Sequence, residues 1–115
     1  MTLSKGDIQT TLTRLVEAFP QAFVAGKHLP HRPLKVGIAA DIGARCPDLK
    51  RGTLAVTLAA YARRIGYLES VVAGAVRVDL DCNAAGEVTA KEAEHAAGKL
   101  AEILAARKAS ISSRS

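Results

Sequence analysis

The 115-residue sequence is poor in aromatic side chains: it has no Trp, two Tyr and two Phe. Proteins that bind single-stranded nucleic acid often stack successive bases on several exposed aromatic rings. Four rings, Phe19, Phe23, Tyr61 and Tyr67, are too few to build such a platform. The composition therefore excludes base stacking on a row of rings as the main mode of binding.

Cysteines and long apolar segments are also scarce. Cys46 and Cys82 stand far apart and outside any CxxC pattern, which indicates two small buried residues and neither a disulfide nor a zinc site. No apolar run approaches the roughly 18 residues of a membrane-spanning helix. We therefore expect a cytoplasmic protein with no membrane partner, no bound metal and no cofactor.

Positive charge is abundant and unevenly placed. The chain has 16 Lys and Arg against 11 Asp and Glu, a net charge of +5, and 49% of its residues are hydrophobic. Residues 1–40 carry three of the five net charges, residues 41–80 carry two, and residues 81–115 are neutral. The chain should fold as one small domain, and its basic part should attract a polyanion.

Hydrophobic periodicity predicts a mainly α fold with a small β-hairpin and about five helices. Residues 1–108 should form the domain and residues 109–115 a flexible tail. The predicted helices cover residues 4–18, 37–46, 48–65, 67–72 and 90–108, and the hairpin has a strand at 76–81 and a turn at 83–86.

Local polar residues refine these boundaries. Asp48 is placed to cap the third helix, and Thr89 with Glu92 forms a capping box at the start of the last helix. Gly66 is predicted to end the third helix. In the alternating segment at 76–81, Arg77, Asp79 and Asp81 fall on one face of the predicted strand.

The candidate catalytic and metal groups are weak. Asp79 and Asp81 have the spacing of a carboxylate pair, but Arg77 beside them favours a surface charge ladder. His28 and His31 lie close together in a loop without further ligands, which favours two solvated histidines. No nucleophile and base occur in a recognisable order. We therefore predict that the protein is not an enzyme and has no small-molecule substrate.

A binding site is better supported. Lys50 and Arg51 fall in the first turn of the third predicted helix, where free N–H groups and the helix dipole favour an anion. Cations at this position cost a helix about a few tenths of a kcal/mol. Such an arrangement is better explained if a phosphate binds there.

Several motifs give the sequence a family resemblance. Over about residues 8–104 it resembles the ProQ/FinO family of bacterial RNA chaperones, through FPQAF at 19–23, RPLKVGI at 32–38 with Asp41 and Ile42, Tyr67 and Leu68, GAVRVDLD at 74–81 and EHA at 94–96.

The resemblance implies a compact, mainly helical RNA-binding domain. Members of the family bind structured RNA, especially terminator hairpins with a 3′ single-stranded tail, and act in small-RNA post-transcriptional regulation. The implied partners are small RNAs and mRNA 3′ ends, bound by a monomer. The site residues that the resemblance and the charge pattern together imply are Arg32, Lys35, Gly37, Lys50, Arg51, Tyr67, Arg77 and Asp79.

Within this site, Lys50 and Arg51 are expected to hold duplex phosphates. The 3′ end is expected in a pocket near Tyr67, Arg77 and Asp79, because a ribose hydroxyl can donate to a carboxylate and accept from an arginine. Tyr67 would be the only ring in contact with RNA.

The chain departs from the family pattern at several positions. Many members carry arginines on the helix where this chain has Ala55 and Ala59, and Arg63 and Arg64 follow one turn later as possible replacements. Cys82 stands where the family usually has a turn glycine. The alternative hypothesis is a basic protein-interaction module without specificity for RNA ends.

Overall fold

A computed structural model describes residues 5–27 and 29–112. The predicted fold class is confirmed, since five helices and a two-stranded sheet account for the regular structure of these residues. In chain order the elements are α1 (Lys5–Ala18), α2 (Ile38–Arg45), α3 (Arg51–Ala62), α4 (Ile65–Ser70), β1 (Val76–Val78), β2 (Ala84–Glu87) and α5 (Ala90–Ser112).

One core unites the helices. Leu15 of α1, Ile42 of α2 and Tyr61 of α3 are almost completely buried, together with Phe23 from the segment between α1 and α2. The ring of Phe23 meets that of Tyr61 edge to face, with centroids 5.1 Å apart. Helix α1 packs on α3 and α4 packs on α5, because the apolar stripe of each amphipathic helix has to be covered by another element.

The hairpin differs from the prediction. Strand β1 ends at Val78, and the turn lies at residues 79–82, so residues 84–87 form strand β2 and not the predicted turn. The carboxylate of Asp79 accepts hydrogen bonds from the backbone N–H groups of Asp81 and Asn83, at 3.0 and 2.9 Å. An aspartate that bonds the backbone in this way makes a turn, so Arg77, Asp79 and Asp81 do not form a ladder on one strand face.

Two helix boundaries also differ. Asp48 does not cap α3, because its carboxylate forms an ion pair with Arg14 of α1; the N-cap residue is Lys50, which makes no side-chain capping bond. Gly66 does not end α3, which stops at Ala62, and lies within α4. Extended backbone at Arg64 separates the two helices.

The last helix begins as predicted and ends later. Thr89 and Glu92 form the expected capping box. The backbone N–H of Thr89 donates to the carboxylate of Glu92 at 2.9 Å, and the backbone N–H of Glu92 donates to the hydroxyl of Thr89 at 3.1 Å. Helix α5 continues to Ser112, four residues into the predicted tail, and residues 113–115 lie outside the described part of the chain, as does Ser4 at the predicted start of α1. No helix within the described ranges has the length and hydropathy to cross a membrane.

Cys82 is the one non-glycine residue with a positive φ in the described chain, at 64°. This left-handed conformation costs an ordinary L-residue about 1–2 kcal/mol, while glycine adopts it freely. We expect Cys82→Gly to raise the free energy of unfolding by about 0.5–1 kcal/mol, after subtraction of the extra chain entropy of glycine.

Urea unfolding monitored by circular dichroism measures this difference. Cys82→Ala is the matched control, because it removes the sulfur and keeps the unfavourable backbone conformation. Equal stabilisation by both substitutions would contradict the backbone explanation.

Candidate functional site

Two predicted site residues, Tyr67 and Arg77, hold the same peptide segment. The hydroxyl of Tyr67 accepts a hydrogen bond from the backbone N–H of Leu34 at 3.0 Å. The guanidinium of Arg77 donates to the carbonyl of Leu34 at 2.7 Å. Leu34 also pairs with Val78 in a parallel bridge, which adds the segment to the edge of β1. We call this arrangement the Leu34 clamp.

Arg77 extends the clamp to α5. A second guanidinium nitrogen lies 3.2 Å from the carboxylate of Glu92, and the Arg77 side chain is only 11% exposed. Glu92 has a lowered pKa, because its carboxylate accepts from the backbone of Thr89 and lies beside Arg77. The structure thus brings Tyr67 and Arg77 to the same residue, Leu34, while Asp79 lies in a separate cleft. Tyr67 is buried, and the small exposed fraction of Arg77 is held between the backbone and α5.

A second clamp holds the chain ten residues earlier. The hydroxyl of Tyr61 accepts from the backbone N–H of Val24 at 3.0 Å, and Arg64 donates to the carbonyl of Val24 at 2.9 Å. The guanidinium of Arg64 also lies over the ring of Tyr61, 5.0 Å from its centroid. We call this the Val24 clamp; it gives Arg64 a structural role that the sequence did not indicate.

His31 fills the space between the clamps. Its imidazole meets the rings of Tyr61 and Tyr67 edge to face, with centroids 5.2 and 6.4 Å away. It approaches Gly66 so closely that a Cβ there would lie 2.6 Å from its Nδ1 atom. The prediction of a solvated loop histidine is therefore wrong for His31, which is buried; His28 lies outside the described residues.

The protonation of His31 is constrained by this environment. Nδ1 lies 2.6 Å from the carbonyl of Leu29, whereas Nε2 is buried without a hydrogen-bond partner among the described residues. Burial lowers the pKa of His31, and the nearby positive charge of Arg64 lowers it further. These effects exceed the opposing one of the Leu29 carbonyl, so the fold favours the neutral imidazole more than the unfolded chain does. No group of side chains that could hold a metal ion occurs in the described ranges.

The lowered pKa predicts how stability depends on pH. The unfolded chain takes up a proton on His31 near pH 6.5, and the folded chain resists it until lower pH. The folded state should therefore lose stability as the pH falls from about 6.5 towards the lowered pKa of His31. Urea unfolding from pH 8 to pH 5 measures this loss. His31→Phe should flatten the profile between these values, and an unchanged slope would contradict the assignment.

Lys35, which follows the Leu34 clamp, lines a small cleft of about 210 Å³. Two cationic and three acidic side chains line this cleft, which we call the carboxylate cleft: Lys35, Arg45, Asp41, Asp79 and Asp81. Lys35 lies 2.8 Å from Asp41, and Arg45 forms an ion pair with Asp81. The pKa of Asp81 is lowered by its hydrogen bonds with Arg45, so this carboxylate is ionised at neutral pH.

The sequence did not predict three residues of the cleft. Asp41 and Asp81 were noted for other reasons and not as site residues, and Arg45 was given no role. Asp41 and Arg45 are four residues apart on α2, a spacing that places two side chains on one helix face. That spacing was the available signal.

A larger depression, of about 640 Å³, lies between α2 and α3 and shares Ala44 with the carboxylate cleft. We call it the α2–α3 groove. Arg51 is its charged residue, and most of the rest of the lining is small, including Ala40, Gly43 and Ala55. Exposed Lys50 precedes Arg51, and the start of α3 has no side-chain cap. The groove therefore combines an uncapped cationic helix start with room for close approach.

The remaining predicted residues lie at the margins. Gly37, the N-cap of α2, is exposed with a φ of 86°, a conformation that favours glycine. Arg32 is exposed, and its guanidinium contacts the sulfur of Cys82 at the hairpin turn. Arg63 and Arg64 line neither the cleft nor the groove, whereas Ala55 lines the groove.

Comparison with known proteins agrees with this architecture. A model of the ProQ/FINO family matches residues 6–112. The chain is 38% identical to the RNA chaperone ProQ of Shewanella amazonensis, over 95% of this chain and 50% of that protein. It is 37% identical to the RNA chaperone ProQ of Shewanella pealeana, over 84% of this chain and 46% of that protein.

Solved structures show the same fold. A ProQ homolog from Legionella pneumophila superposes with a TM-score of 0.73 and 27% identity, over 89% of this chain and 87% of that one. A FinO-like RNA chaperone from Neisseria meningitidis gives a TM-score of 0.66 and 28% identity, over 81% and 93%. The chain belongs to the ProQ/FinO family. It spans about half the length of the Shewanella relatives.

Proposed function

We propose that this chain is an RNA chaperone that binds structured RNA, including terminator hairpins with a 3′ single-stranded tail, and acts in small-RNA regulation without catalysing a reaction. One observation carries the proposal: an uncapped cationic helix start and a cleft rich in carboxylates lie side by side across α2. The first suits duplex phosphates and the second suits a chain end. The relatives are named RNA chaperones, which supports this function. The proposal includes that the chain acts in the cytoplasm.

The α2–α3 groove would hold the duplex. Lys50 and Arg51 supply two exposed positive charges beside the free N–H groups of the first turn of α3. Small residues along the groove let an RNA backbone come close to α2. A-form RNA presents phosphates and 2′-hydroxyls on its accessible surface and hides most base edges. Recognition here would therefore depend on duplex shape and would tolerate different sequences.

The carboxylate cleft would take the 3′-terminal ribose. Three acidic side chains against two cationic ones disfavour a terminal phosphate and favour hydroxyl donors. Lys35 and Arg45 would neutralise the last internucleotide phosphates at the rim. In this proposal Tyr67 and Arg77 act by fixing the backbone of Leu34, and so the position of Lys35, and their contact with RNA is limited by their burial.

The alternative, a module that binds an acidic protein, is less consistent with the same cleft. Three carboxylates beside Lys35 and Arg45 would repel an acidic partner from this part of the surface. The hydroxyls of an RNA 3′ end can donate hydrogen bonds to these carboxylates, whereas the carboxylates of an acidic protein cannot. The RNA proposal therefore accounts for the mixture of charges as well as for the net positive charge.

The 3′ end provides the first test. A terminator hairpin with a 3′-hydroxyl should bind about tenfold more tightly than the same RNA with a 3′-phosphate, because the added negative charge lies near three carboxylates. Filter binding or fluorescence anisotropy measures the ratio. Asp41→Asn should reduce this ratio, since it removes one of the carboxylates. Equal affinity for the two ends in the unmodified protein would exclude end recognition.

Salt dependence tests the duplex contacts. The double variant Lys50→Ala/Arg51→Ala should weaken hairpin binding and reduce the slope of log affinity against log salt by about one to two, as expected when one or two phosphate contacts are lost. Exposed Lys91, in the first turn of α5, is the matched control, and Lys91→Ala should leave the slope unchanged. A similar loss in both variants would indicate non-specific charge attraction.

A further inference from the structure

A second basic site lies away from the proposed RNA surface. A cavity of about 580 Å³, open to solvent, is lined by residues of α1, α3, α4 and α5, by the connection between α3 and α4, and by Lys27. Among the described residues, no carboxylate lines this cavity. Five cationic side chains line it: Lys5, Lys27, Arg63, Arg64 and Arg107. We call it the basic cavity.

The cavity gathers five cations that have no carboxylate partner among the described residues, although other described cations, such as Lys50 and Arg51, are also unpaired. Five other cations have a carboxylate partner within 4 Å: Arg14, Lys35, Arg45, Arg77 and Lys99. None of the five cavity cations has such a partner in the described part of the chain. Like charges gathered without counter-charges repel each other and oppose folding. A bound anion would remove this repulsion.

The residues that line the cavity indicate which chemical class of anion it would bind. Its interior includes the aliphatic side chains of Ile8, Leu12, Ile65 and Ile103, with Gln9 and Thr57 as neutral polar groups. The volume lies within the range of about 300–1,000 Å³ that is usual for small-ligand sites. An apolar surface with several cations suits a ligand that has a flat, weakly polar part linked to phosphates. An unpaired nucleotide has this composition, whereas a paired base is enclosed in its duplex.

The basic cavity is separate from the surface proposed for the hairpin. It shares no lining residue with the α2–α3 groove or the carboxylate cleft. Ala55 lines the groove and Ala60 lines the cavity, and helix geometry places them about 140° apart around the axis of α3. A duplex held in the groove therefore does not reach the cavity, but a flexible strand can pass around the molecule.

We propose that the basic cavity binds one or two unpaired nucleotides of a single-stranded extension of the RNA whose hairpin lies on the α2 face. This inference rests on the proposed function. The smallest dimension of the molecule is 23 Å, and about seven nucleotides stacked at the roughly 3.4 Å spacing of a duplex strand cover that distance. Arg63, Lys5, Lys27 and Arg107 would bind phosphates, and Arg64 would remain engaged in the Val24 clamp.

The test compares two RNAs and two surfaces. One RNA is a hairpin with its 3′ tail; the other adds a 5′ single-stranded extension of about twelve nucleotides, more than the span requires. The variant Arg63→Ala/Arg107→Ala should weaken binding of the extended RNA about tenfold and change binding of the bare hairpin less than twofold. Lys108→Ala is the matched control, because Lys108 neighbours Arg107 on α5 but does not line the cavity.

The outcomes separate this inference from the proposed function. If neither RNA binds the unmodified protein, both fail. Another result would contradict the cavity proposal alone. In that case the hairpin binds and Lys50→Ala/Arg51→Ala weakens hairpin binding, but the extension adds no affinity and Arg63→Ala/Arg107→Ala binds both RNAs as the unmodified protein does. A polyglutamate peptide that binds the cavity more tightly than the single-stranded extension does, and loses this affinity in Arg63→Ala/Arg107→Ala, would assign the cavity to an acidic protein and overturn the proposal.

Thermal unfolding of the free protein excludes a structural explanation. Removing two cations from an unpaired cluster should leave the melting temperature of Arg63→Ala/Arg107→Ala unchanged or raise it, since repulsion is reduced. If the melting temperature falls, Lys5→Ala/Lys27→Ala, at two exposed positions of the same lining, repeats the comparison. Unchanged binding of the extended RNA by that variant would overturn the proposal.

Discussion

The structure depends on how the segment between α1 and α2 is held. This segment has little regular structure, so its peptide groups need partners from elsewhere. Tyr61 and Arg64 satisfy both polar groups of Val24, while Tyr67 and Arg77 satisfy both polar groups of Leu34. In each clamp a phenol oxygen accepts the N–H and a guanidinium donates to the carbonyl. These four side chains thereby hold the segment in a fixed position against the core.

The clamps determine where the candidate site lies. Leu34 is held on the edge of β1, so Lys35 is directed to the cleft where α2 and the hairpin turn meet. Gly37 then starts α2 in a left-handed conformation, and the groove beyond α2 leads to Arg51. Disturbing the Leu34 clamp would displace the cleft as a whole. Loss of RNA binding on mutation of Tyr67 or Arg77 would therefore report on the position of Lys35 as well as on any direct contact.

Much of the fold could be predicted from the sequence, and the site only in part. Helical periodicity and the capping box at Thr89 and Glu92 are local signals, and they gave the five helices. The role of Asp79 could not be read from alternation, because the same aspartate suits a strand face or a turn, and its bonds to two backbone N–H groups decide between them. Tyr67 and Arg77 were ambiguous in the same way: a phenol and a guanidinium serve a peptide group as well as a nucleotide, and only the position of Leu34 distinguishes these uses.

The distribution of paired and unpaired cations gives two kinds of surface. At the carboxylate cleft each of the two cations has an acidic partner and Asp79 adds a third carboxylate, so acidic side chains are in excess and hydroxyl donors are favoured over a terminal phosphate. In the basic cavity no acidic side chain offsets the positive charge within the described structure, so phosphates are favoured. An RNA end and an RNA strand differ in the same respect, since the end offers hydroxyls and the strand offers phosphodiesters. In the proposed function, this placement of carboxylates would let one small domain distinguish the end of an RNA from its interior without contacts that read the bases.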